Sequence, residues 1–221
     1  MKKEIIIFGT GDFGKVAHFY LTNDSKYKIV GFTAHKDKIN DDKLFDLPII
    51  PFEETEKRFP PDRFGMFIAV PYTNLNQTRA KIFHDAKEKG YELISYINSK
   101  AIVWKDIDMG ENCFILESNV IQPYVTIGND VIIWSGNHIG HHTVIKDHCF
   151  LASHVVISGK VIIEPYCFLG VNATIRDGIH IGKSNVIGAG AVILKDTKED
   201  EVYSTDSTIL LKIKSGDLRG I

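Results

Sequence analysis

A six-residue repeat constrains the fold of the second half of this chain more than any other feature. Sixteen successive positions, six residues apart, are all aliphatic or methionine: Val103, Met109, Ile115, Ile121, Ile127, Ile133, Ile139, Ile145, Leu151, Ile157, Ile163, Leu169, Ile175, Ile181, Ile187 and Ile193. A helix repeats every 3.6 residues and a strand alternates every two, so neither produces this ladder. A six-residue repeat predicts a β-helix, in which each repeat supplies one short side of a coil. Sixteen stacked apolar side chains, each contributing about 1.5–3 kcal/mol when fully buried, would dominate the stability of this half.

A second column, two residues before each ladder position, holds mostly small residues. It includes all three cysteines of the chain, Cys113, Cys149 and Cys167, and the asparagines Asn119 and Asn137. A bulky inward residue would not fit where a coil turns a corner, so this column is expected at the corners. The cysteines are therefore interpreted as small buried hydrophobes. The asparagines are expected to bond each other and the corner backbone, which is a structural role.

Strand-like and helix-like segments alternate in the first 97 residues. The stretches EIIIFG, YKIVGFT, FGMFIAV and YELISYI are typical of strands, whereas DFGKVAHFYLTN and NLNQTRAKIFHDAKEKG are typical of helices. Such alternation predicts a parallel sheet. The second helix is expected to be capped by Asn74, with Gln77 three residues on, and to end at Gly90. We therefore predict an α/β Rossmann-like domain over 1–98, a β-helix over 99–203 and a tail over 204–221.

Composition narrows the possible functions. The net charge of −2 lacks the basic excess that a nucleic-acid surface needs. No run of about 18 apolar residues is present, so no membrane span is expected. The N-terminal MKKEIIIFGTGDFG is interrupted by glycines too early for a signal peptide. Three cysteines without metal-type spacing indicate reduced thiols and a cytoplasmic protein.

A glycine-rich loop follows the first predicted strand. GTGDFGKVA carries G-x-G-x-x-G at Gly9, Gly11 and Gly14, between a strand and a helix. In that context backbone N–H groups and a helix N-terminus can hold a phosphate. The motif alone would suggest a dinucleotide dehydrogenase. The acid expected about 20 residues later is missing, since Thr33 and Ala34 stand there.

The hexad ladder resembles the left-handed parallel β-helix acyltransferases. Together with IIIFGTGDFG it resembles the bacterial nucleotide-sugar acetyltransferases of the bacillosamine, perosamine and sialic-acid type, over roughly residues 3–203. The resemblance implies a left-handed coil of three hexads, so that residues 18 apart stack. It also implies a homotrimer that binds acetyl-CoA, or another acyl-CoA, in the groove between neighbouring β-helices.

The resemblance assigns roles to the histidine-rich segment GHHTVIK. The family's general base falls on His141, and its oxyanion donor falls on Gly159, one coil later. An imidazole, with an ordinary pKa near 6.5, suits removal of a proton from an amine or hydroxyl nucleophile. One departure stands out, because the family places a carboxylate beside this histidine and here the neighbours are Gly140 and His142. The orienting partner is thus open, and His142 is an alternative base.

The other histidines of this region receive weaker assignments. His138 and His154 are expected outside the coil near the groove, where His138 would touch substrate and His154 the pantetheine. His148, in a KDH turn, is expected to be solvated. The histidine spacing does not match the metal-binding carbonic anhydrases of the β-helix class, so no metal is expected.

The remaining candidate residues belong to the substrate and CoA sites. In the resembled family the glycine loop, here Gly9, Gly11, Asp12, Phe13 and Gly14, grips the diphosphate of a sugar nucleotide. Phe13 replaces a histidine of the bacillosamine enzymes and is interpreted either as a base-stacking residue or as a buried anchor. Asn74 and Arg79 are candidate phosphate or sugar contacts, with helix capping and surface solvation as their alternatives. The resemblance places Gly170, Gly188 and Gly190 along the CoA groove. Lys212, Lys214 and Arg219 are interpreted either as CoA phosphate contacts or as a solvated tail.

These features predict an acyl-CoA-dependent N-acyltransferase that acts on a nucleotide-linked amino deoxysugar. Three alternatives stay open at this point. The first is O-acetylation of a sugar hydroxyl, as in the sialic-acid branch, since both acceptors need the same base. The second is a nucleotide-sugar-binding scaffold without activity, favoured by the missing carboxylate beside His141. The third is a dehydrogenase.

Overall fold

The N-terminal half is a parallel sheet with helices on both sides. The structure is a computed structural model that describes residues 3–104 and 107–208, together with residues 210 and 212. The elements of this half, in chain order, are β1 (Lys3–Phe8), α1 (Asp12–Asn23), β2 (Tyr27–Ala34), β3 (Lys43–Leu44), β4 (Leu47–Pro51), α2 (Thr55–Arg58), β5 (Gly65–Ile68), α3 (Gln77–Glu88) and β6 (Glu92–Leu93). Short 3-10 turns lie at Lys36–Lys38 and Phe52–Glu54.

The strand order places the glycine loop at a ligand-binding edge. The order is β3-β4-β2-β1-β5-β6, and all pairs are parallel except the short β3–β4 hairpin. β1 is flanked by β2 on one side and β5 on the other, so the chain direction across the sheet reverses at β1. The crevice at the carboxyl end of such a switch point is where open α/β sheets bind ligands. The predicted Rossmann-like arrangement is therefore confirmed.

The start of α3 differs from the expectation. Helix α3 begins at Gln77, and its N-cap residue is Asn76 at φ 65° without a side-chain cap. The predicted cap by Asn74 is wrong. Asn74, Leu75 and Asn76 all adopt left-handed backbone conformations, with φ of 51°, 47° and 65°. The buried Asn76 side chain donates to the carbonyl of Cys167 at 3.2 Å instead of capping the helix.

The second half is a triangular β-helix whose three walls are parallel sheets of two-residue strands. Wall 1 contains β7 (Tyr96–Ile97), β10 (Phe114–Ile115), β13 (Ile132–Ile133), β16 (Phe150–Leu151), β19 (Phe168–Leu169), β22 (Val186–Ile187) and β24 (Val202–Tyr203). Wall 2 contains β8 (Ile102–Val103), β11 (Val120–Ile121), β14 (His138–Ile139), β17 (Val156–Ile157), β20 (Thr174–Ile175) and β23 (Val192–Ile193). Wall 3 contains β9 (Asp108–Met109), β12 (Thr126–Ile127), β15 (Val144–Ile145), β18 (Ile162–Ile163) and β21 (His180–Ile181).

The register within each wall follows from the hexad ladder. Residues 18 apart are paired, as Ile121 with Ile139 and Ile139 with Ile157. The ladder from Ile115 to Ile193 is buried in one continuous core, and Val103 and Met109 pack against its first coils. The predicted left-handed β-helix is confirmed. Its stability comes from a column of aliphatic side chains that no coil could bury alone.

The column of small residues lies inside the corners, as expected. The three cysteines are free and fully buried, and burial raises the pKa of the Cys113 thiol to about 12. Asn119 Oδ1 accepts the Asn137 N–H at 2.9 Å, and Asn137 Oδ1 accepts the Val155 N–H at 2.7 Å. Their side-chain amides also donate to the Trp134 carbonyl. The asparagines therefore replace backbone bonds that the turning chain cannot make.

Most corners of the coil contain one residue with a left-handed backbone conformation. Non-glycine residues at positive φ recur at six-residue steps, for example Tyr124 (66°), His142 (59°), His148 (60°), His154 (60°) and Lys160 (57°). Each such conformation costs about 1–2 kcal/mol relative to the right-handed region, so the surrounding coil imposes it. These corners project side chains away from the prism.

Wall 1 faces the N-terminal domain through an aromatic column. The outward side chains of Phe114 and Phe150 belong to the same buried cluster as Leu21 of α1 and Phe67 of β5. At the edge of this junction the Tyr20 hydroxyl donates to Glu117 at 2.8 Å. Burial, together with this carboxylate, raises the pKa of Tyr20 to about 12, so the phenol stays neutral. The aromatic column and this hydrogen bond hold the N-terminal domain against wall 1.

A buried ion pair joins α3 to the coil. Arg79 is 0% exposed, its Nε lies 3.0 Å from Asp130 Oδ1, and its Nη2 donates to the carbonyls of Asp130 and Cys149. Asp130 also binds Asn112 at 2.8 Å and His148 Nδ1 at 2.8 Å. Both predicted interpretations of Arg79, ligand contact and solvated surface, are wrong, because the guanidinium satisfies coil carbonyls and a buried carboxylate. The predicted solvated His148 is also wrong, because its 4% exposed ring stacks on Tyr166.

Candidate active site

His141 and Gly159 meet at the corner between walls 2 and 3. His141 is exposed and Gly159 is buried, and the Lys160 N–H donates to the His141 carbonyl at 2.8 Å across adjacent coils. A Cβ added to Gly159 would lie 2.7 Å from His141 Cε1 and 2.8 Å from Nε2. The imidazole therefore lies directly over the backbone of Gly159, and only glycine leaves room for it.

The hydrogen bonds around His141 orient it. Its backbone N–H donates to Gln122 Oε1 at 2.8 Å, and its ring Nδ1 lies 3.0 Å from His142 Nδ1. Nδ1 is occupied by the contact with His142, and Nε2 is the ring nitrogen that lies beside Gly159. The Gly159 N–H has no acceptor among the residues that the structure describes. An imidazole nitrogen and a bare backbone donor thus lie close together on one corner.

A carboxylate near this corner was not singled out from the sequence. Asp177 Oδ1 would lie 3.0 Å from a Cβ on Gly159, on the coil that follows it. The signal was available, because residue 177 is 18 positions after Gly159 and so stacks on it. Asp177 forms no ion pair with His141 among the described contacts.

His138 and His154 lie apart from this pair. His138 is half-buried on wall 2, between Val120 and Val156. His154 is exposed at the corner between walls 1 and 2, with its ring over Gly136. Neither side chain contacts His141 within the described contacts, so one chain does not bring all the predicted histidines together.

The glycine loop turns from β1 into α1, and its three glycines differ in role. Gly9 has φ 120°, and a Cβ on it would lie 2.5 Å from the Ala69 carbonyl oxygen. A Cβ on Gly14 would lie 2.1 Å from the Gly9 carbonyl oxygen. Gly11 instead borders open space and precedes Asp12, the exposed first residue of α1. Gly9 and Gly14 are therefore needed for packing, whereas Gly11 leaves the helix N-terminus accessible.

A basic cavity of about 320 Å³ opens beside Gly11. Its lining includes Thr10, the lysines Lys15, Lys38 and Lys43, and one carboxylate, Asp41. Lys38 and Lys43 follow β2 in the stretch HKDKINDDK and were not predicted as site residues. Lys15 pairs with Asp12 at 3.3 Å and Lys38 pairs with Asp37 at 3.2 Å. The lining still holds three ammonium groups against one carboxylate beside a helix N-terminus, which favours an anionic ligand.

A larger apolar cavity, about 600 Å³, lies between the glycine loop and wall 1. It is lined by residues of both halves: Asp12, Phe13, Val16, Pro71, Tyr72, Trp134, Phe150, Ala152, Ser153, Phe168, Gly170, Val171 and Ala189. Phe13 is buried, and its ring meets Phe114 edge-on at 5.9 Å. This packing agrees with the anchor interpretation of Phe13. The exposed Asn74 is not among the lining residues.

The predicted CoA glycines follow one another along the corner between walls 1 and 2. A Cβ on Gly170 would lie 2.6 Å from the Ala189 nitrogen, and one on Gly188 would lie 2.8 Å from the Tyr203 carbonyl oxygen. Gly190 has φ 71° and borders open space. Lys212 is exposed, and Lys214 and Arg219 lie outside the described residues.

Over residues 3–104 and 107–208, with 210 and 212, no group of three or more His, Cys, Asp or Glu side chains could hold a metal ion. Across the same residues, the helices are all too short or too polar to cross a membrane.

Comparison with known protein families agrees with both halves. Residues 4–86 match the PglD N-terminal domain. Residues 124–159 match the bacterial transferase hexapeptide family, and residues 160–195 match the hexapeptide repeat of succinyl-transferase. The chain therefore combines a segment similar to the PglD N-terminal domain with a segment similar to hexapeptide-repeat transferases.

Solved structures share this whole architecture. The perosamine N-acetyltransferase from Caulobacter crescentus, a histidine-to-asparagine mutant in complex with CoA and GDP-perosamine, is 22% identical with a TM-score of 0.79, covering 90% of this chain and 92% of that one. The acetyltransferase domain of PglB from Neisseria gonorrhoeae, with acetyl coenzyme A, is 21% identical with a TM-score of 0.80, covering 91% and 96%. WeeI from Acinetobacter baumannii is 20% identical with a TM-score of 0.77, covering 90% and 95%. At these identities the likeness establishes the fold.

Proposed function

We propose that this protein is an acetyl-CoA-dependent N-acetyltransferase that acylates an amino group on a nucleotide-linked deoxysugar. The observation that carries the proposal is the imidazole of His141 lying over the bare backbone of Gly159. Two of the structurally similar proteins bind CoA or acetyl-CoA, and one of these also binds a GDP-linked amino sugar.

The chemistry assigned to the pair is acyl transfer. The sugar amine attacks the thioester carbonyl while His141 Nε2 takes the amine proton. A C–N bond forms, the C–S bond breaks, and the proton passes from the imidazolium to the leaving thiolate. The Gly159 N–H would bind the oxygen that becomes negative in the tetrahedral state. A fixed donor of this kind typically contributes about 2.7–4 kcal/mol of barrier lowering.

The N-terminal domain would hold the nucleotide. The basic cavity beside Gly11 provides three lysines and a helix N-terminus for the diphosphate. The adjoining apolar cavity lies between Asp12 and the aromatic side chains of wall 1, and a deoxysugar has the weakly polar surface that would fit there. Gly170, Gly188 and Gly190 would border the pantetheine of CoA.

A homotrimer is part of the proposal. The outward column of wall 2 includes apolar side chains that stay exposed among the described residues, with Ile102 63%, Val156 42% and Val192 59% exposed. The sugar cavity lies at one edge of this wall and His141 at the other. A second copy packed on wall 2 would cover the column and bring the sugar cavity of one chain to His141 of its neighbour. A cytoplasmic location fits the three free thiols.

The test is a transfer assay with acetyl-CoA and a panel of nucleotide sugars. Thiol release and mass spectrometry of the sugar would show which acceptors gain an acetyl group. The proposal expects transfer to nucleotide sugars that carry a free amino group. Transfer only to hydroxyl acceptors would replace it with the O-acetyltransferase alternative. Calorimetric binding of a sugar nucleotide without any binding of CoA would replace it with the scaffold alternative.

Substitution of single loop glycines separates ligand contact from packing. We expect Gly11→Ala to keep the thermal stability of the protein, because its Cβ would meet open space. Its Cβ would occupy the space where the diphosphate approaches the helix N-terminus, and it should therefore weaken sugar-nucleotide binding about tenfold, as much as losing about one hydrogen bond to a charged group. Gly14→Ala should lower the melting temperature, because its Cβ would collide with the Gly9 carbonyl. Calorimetry and thermal denaturation measure both effects, and unchanged binding by the Gly11 variant would contradict this assignment.

A further inference from the structure

The ring of His141 has one side-chain hydrogen-bond partner among the described residues, and it is another histidine. His141 Nδ1 and His142 Nδ1 lie 3.0 Å apart, and the two ring planes are nearly perpendicular at 88°. We propose that His142 is the positioning residue of the acyltransferase, in the place where a carboxylate would be expected. This inference rests on the proposed function of His141.

The contact fixes a relation between the two tautomers. A neutral imidazole carries a proton on one ring nitrogen and a lone pair on the other. Two Nδ1 atoms at 3.0 Å share one hydrogen, so one ring donates through Nδ1 and the other accepts there. If His141 donates, its Nε2 holds the lone pair beside Gly159 and can accept the amine proton. If His142 donates, His141 carries its proton on Nε2 and cannot act as a base.

Proton acceptance strengthens the working arrangement. When His141 takes the amine proton at Nε2, its Nδ1–H continues to donate to His142 Nδ1. The donor ring then carries a positive charge, and charge-assisted hydrogen bonds are roughly twice as strong as neutral ones. When His142 is the donor, the hydrogen bond gains no such strength during the reaction, because His141 already carries a proton on Nε2 and cannot take the amine proton. His142 thus does for the tautomer of His141 what a carboxylate does elsewhere.

The position of His142 is set by the coil. Its φ of 59° places it at a corner turn, and its N–H donates to the Pro123 carbonyl at 3.3 Å. Its ring packs on Tyr124 at a centroid distance of 4.7 Å and an angle of 35°. Gln122 Oε1 accepts the His141 N–H on the same preceding corner. The coil below therefore fixes the backbone of the base and the ring of its partner together.

The test uses two variants of His142, one that keeps a hydrogen-bond acceptor at the position of Nδ1 and one that does not. His142→Asn keeps an acceptor oxygen one bond beyond Cγ, where Nδ1 stands, and asparagine tolerates a positive φ. His142→Ala removes the acceptor. We expect His142→Ala to lower kcat about tenfold, with the KM for acetyl-CoA unchanged, and His142→Asn to restore most of the loss. Circular dichroism melting would show that both variants remain folded.

A second readout does not depend on turnover. In the wild-type protein, nitrogen-15 NMR of the histidine rings should show neutral His141 protonated at Nδ1 and His142 unprotonated at Nδ1. In His142→Ala the His141 proton should redistribute toward Nε2. Protonation of wild-type His141 at Nε2, or an unchanged tautomer in His142→Ala, would overturn the inference. Equal kcat losses in both variants would overturn it too, since they would indicate a steric role. Absence of acetyl transfer by the wild-type protein would instead overturn the proposed function, and the tautomer measurement would still report on the pair.

Discussion

Replacement of His141 by asparagine is expected to lower acetyl transfer 10²- to 10⁴-fold, the usual cost of losing a general base. The side chain is exposed and holds no part of the core, so the melting temperature should stay close to that of the wild-type protein. Binding of CoA and of the nucleotide sugar should also persist, because the base acts on a proton and not on the bulk of either ligand. Steady-state kinetics with calorimetry would separate these effects.

His180→Asn provides the matched control. His180 is likewise exposed, but it lies on wall 3, where it pairs with Glu164 at 2.9 Å. Its replacement should leave turnover within about twofold, as is usual for surface substitutions away from a site. If the His141 variant keeps more than about a tenth of wild-type turnover, another group takes the proton.

Removal of the Arg79 side chain is expected to destabilise the protein by about 3–5 kcal/mol, the typical cost of breaking a buried ion pair. Arg79→Ala would leave the Asp130 carboxylate buried without its cation, and would leave the Asp130 carbonyl without the Nη2 donor it has now. The free energy of unfolding, measured in urea by circular dichroism and fluorescence, should show this loss. Arg79 contacts both halves, so their unfolding transitions should also separate.

Lys81 on the same helix is the control for this change. Its ammonium pairs with Asp85 at 2.6 Å on the exposed face of α3. Lys81→Ala removes a cation and an ion pair from the same element and should cost about 0.5 kcal/mol or less. Equal losses for the two variants would mean that Arg79 contributes only as an ordinary helix residue.

The fold of the second half could be predicted because the aliphatic residues that form its core repeat every six positions in the sequence. Each ladder residue has the same environment as the one 18 positions away, so a single rule placed the core residues from Ile115 to Ile193. The proximity of His141 and Gly159 followed from the same rule together with the family resemblance. The glycine loop was also predictable, because strand, turn and helix are neighbours in the chain.

Contacts between distant segments could not be predicted in this way. Arg79 and Asp130 are 51 positions apart, and their pairing depends on how α3 lies against a corner of the coil. The same docking buries His148, whose sequence context of charged residues suggested solvent. Asn74 is not the helix cap because three successive residues before α3 have positive φ and Asn76 takes the N-cap position. The His141–His142 contact joins adjacent residues, yet it depends on the positive φ of His142.

The stacked rungs also have a consequence for how such a protein changes length. The three walls repeat every 18 residues, which is one coil, or one rung, of the prism. Inserting one complete rung would therefore shift all later residues by about 4.8 Å along the prism axis without rotating them. Inserting a single hexad would instead rotate everything beyond it onto the next wall. Evolution can therefore lengthen or shorten this prism in whole rungs, while the imidazole and the glycine above it stay in phase.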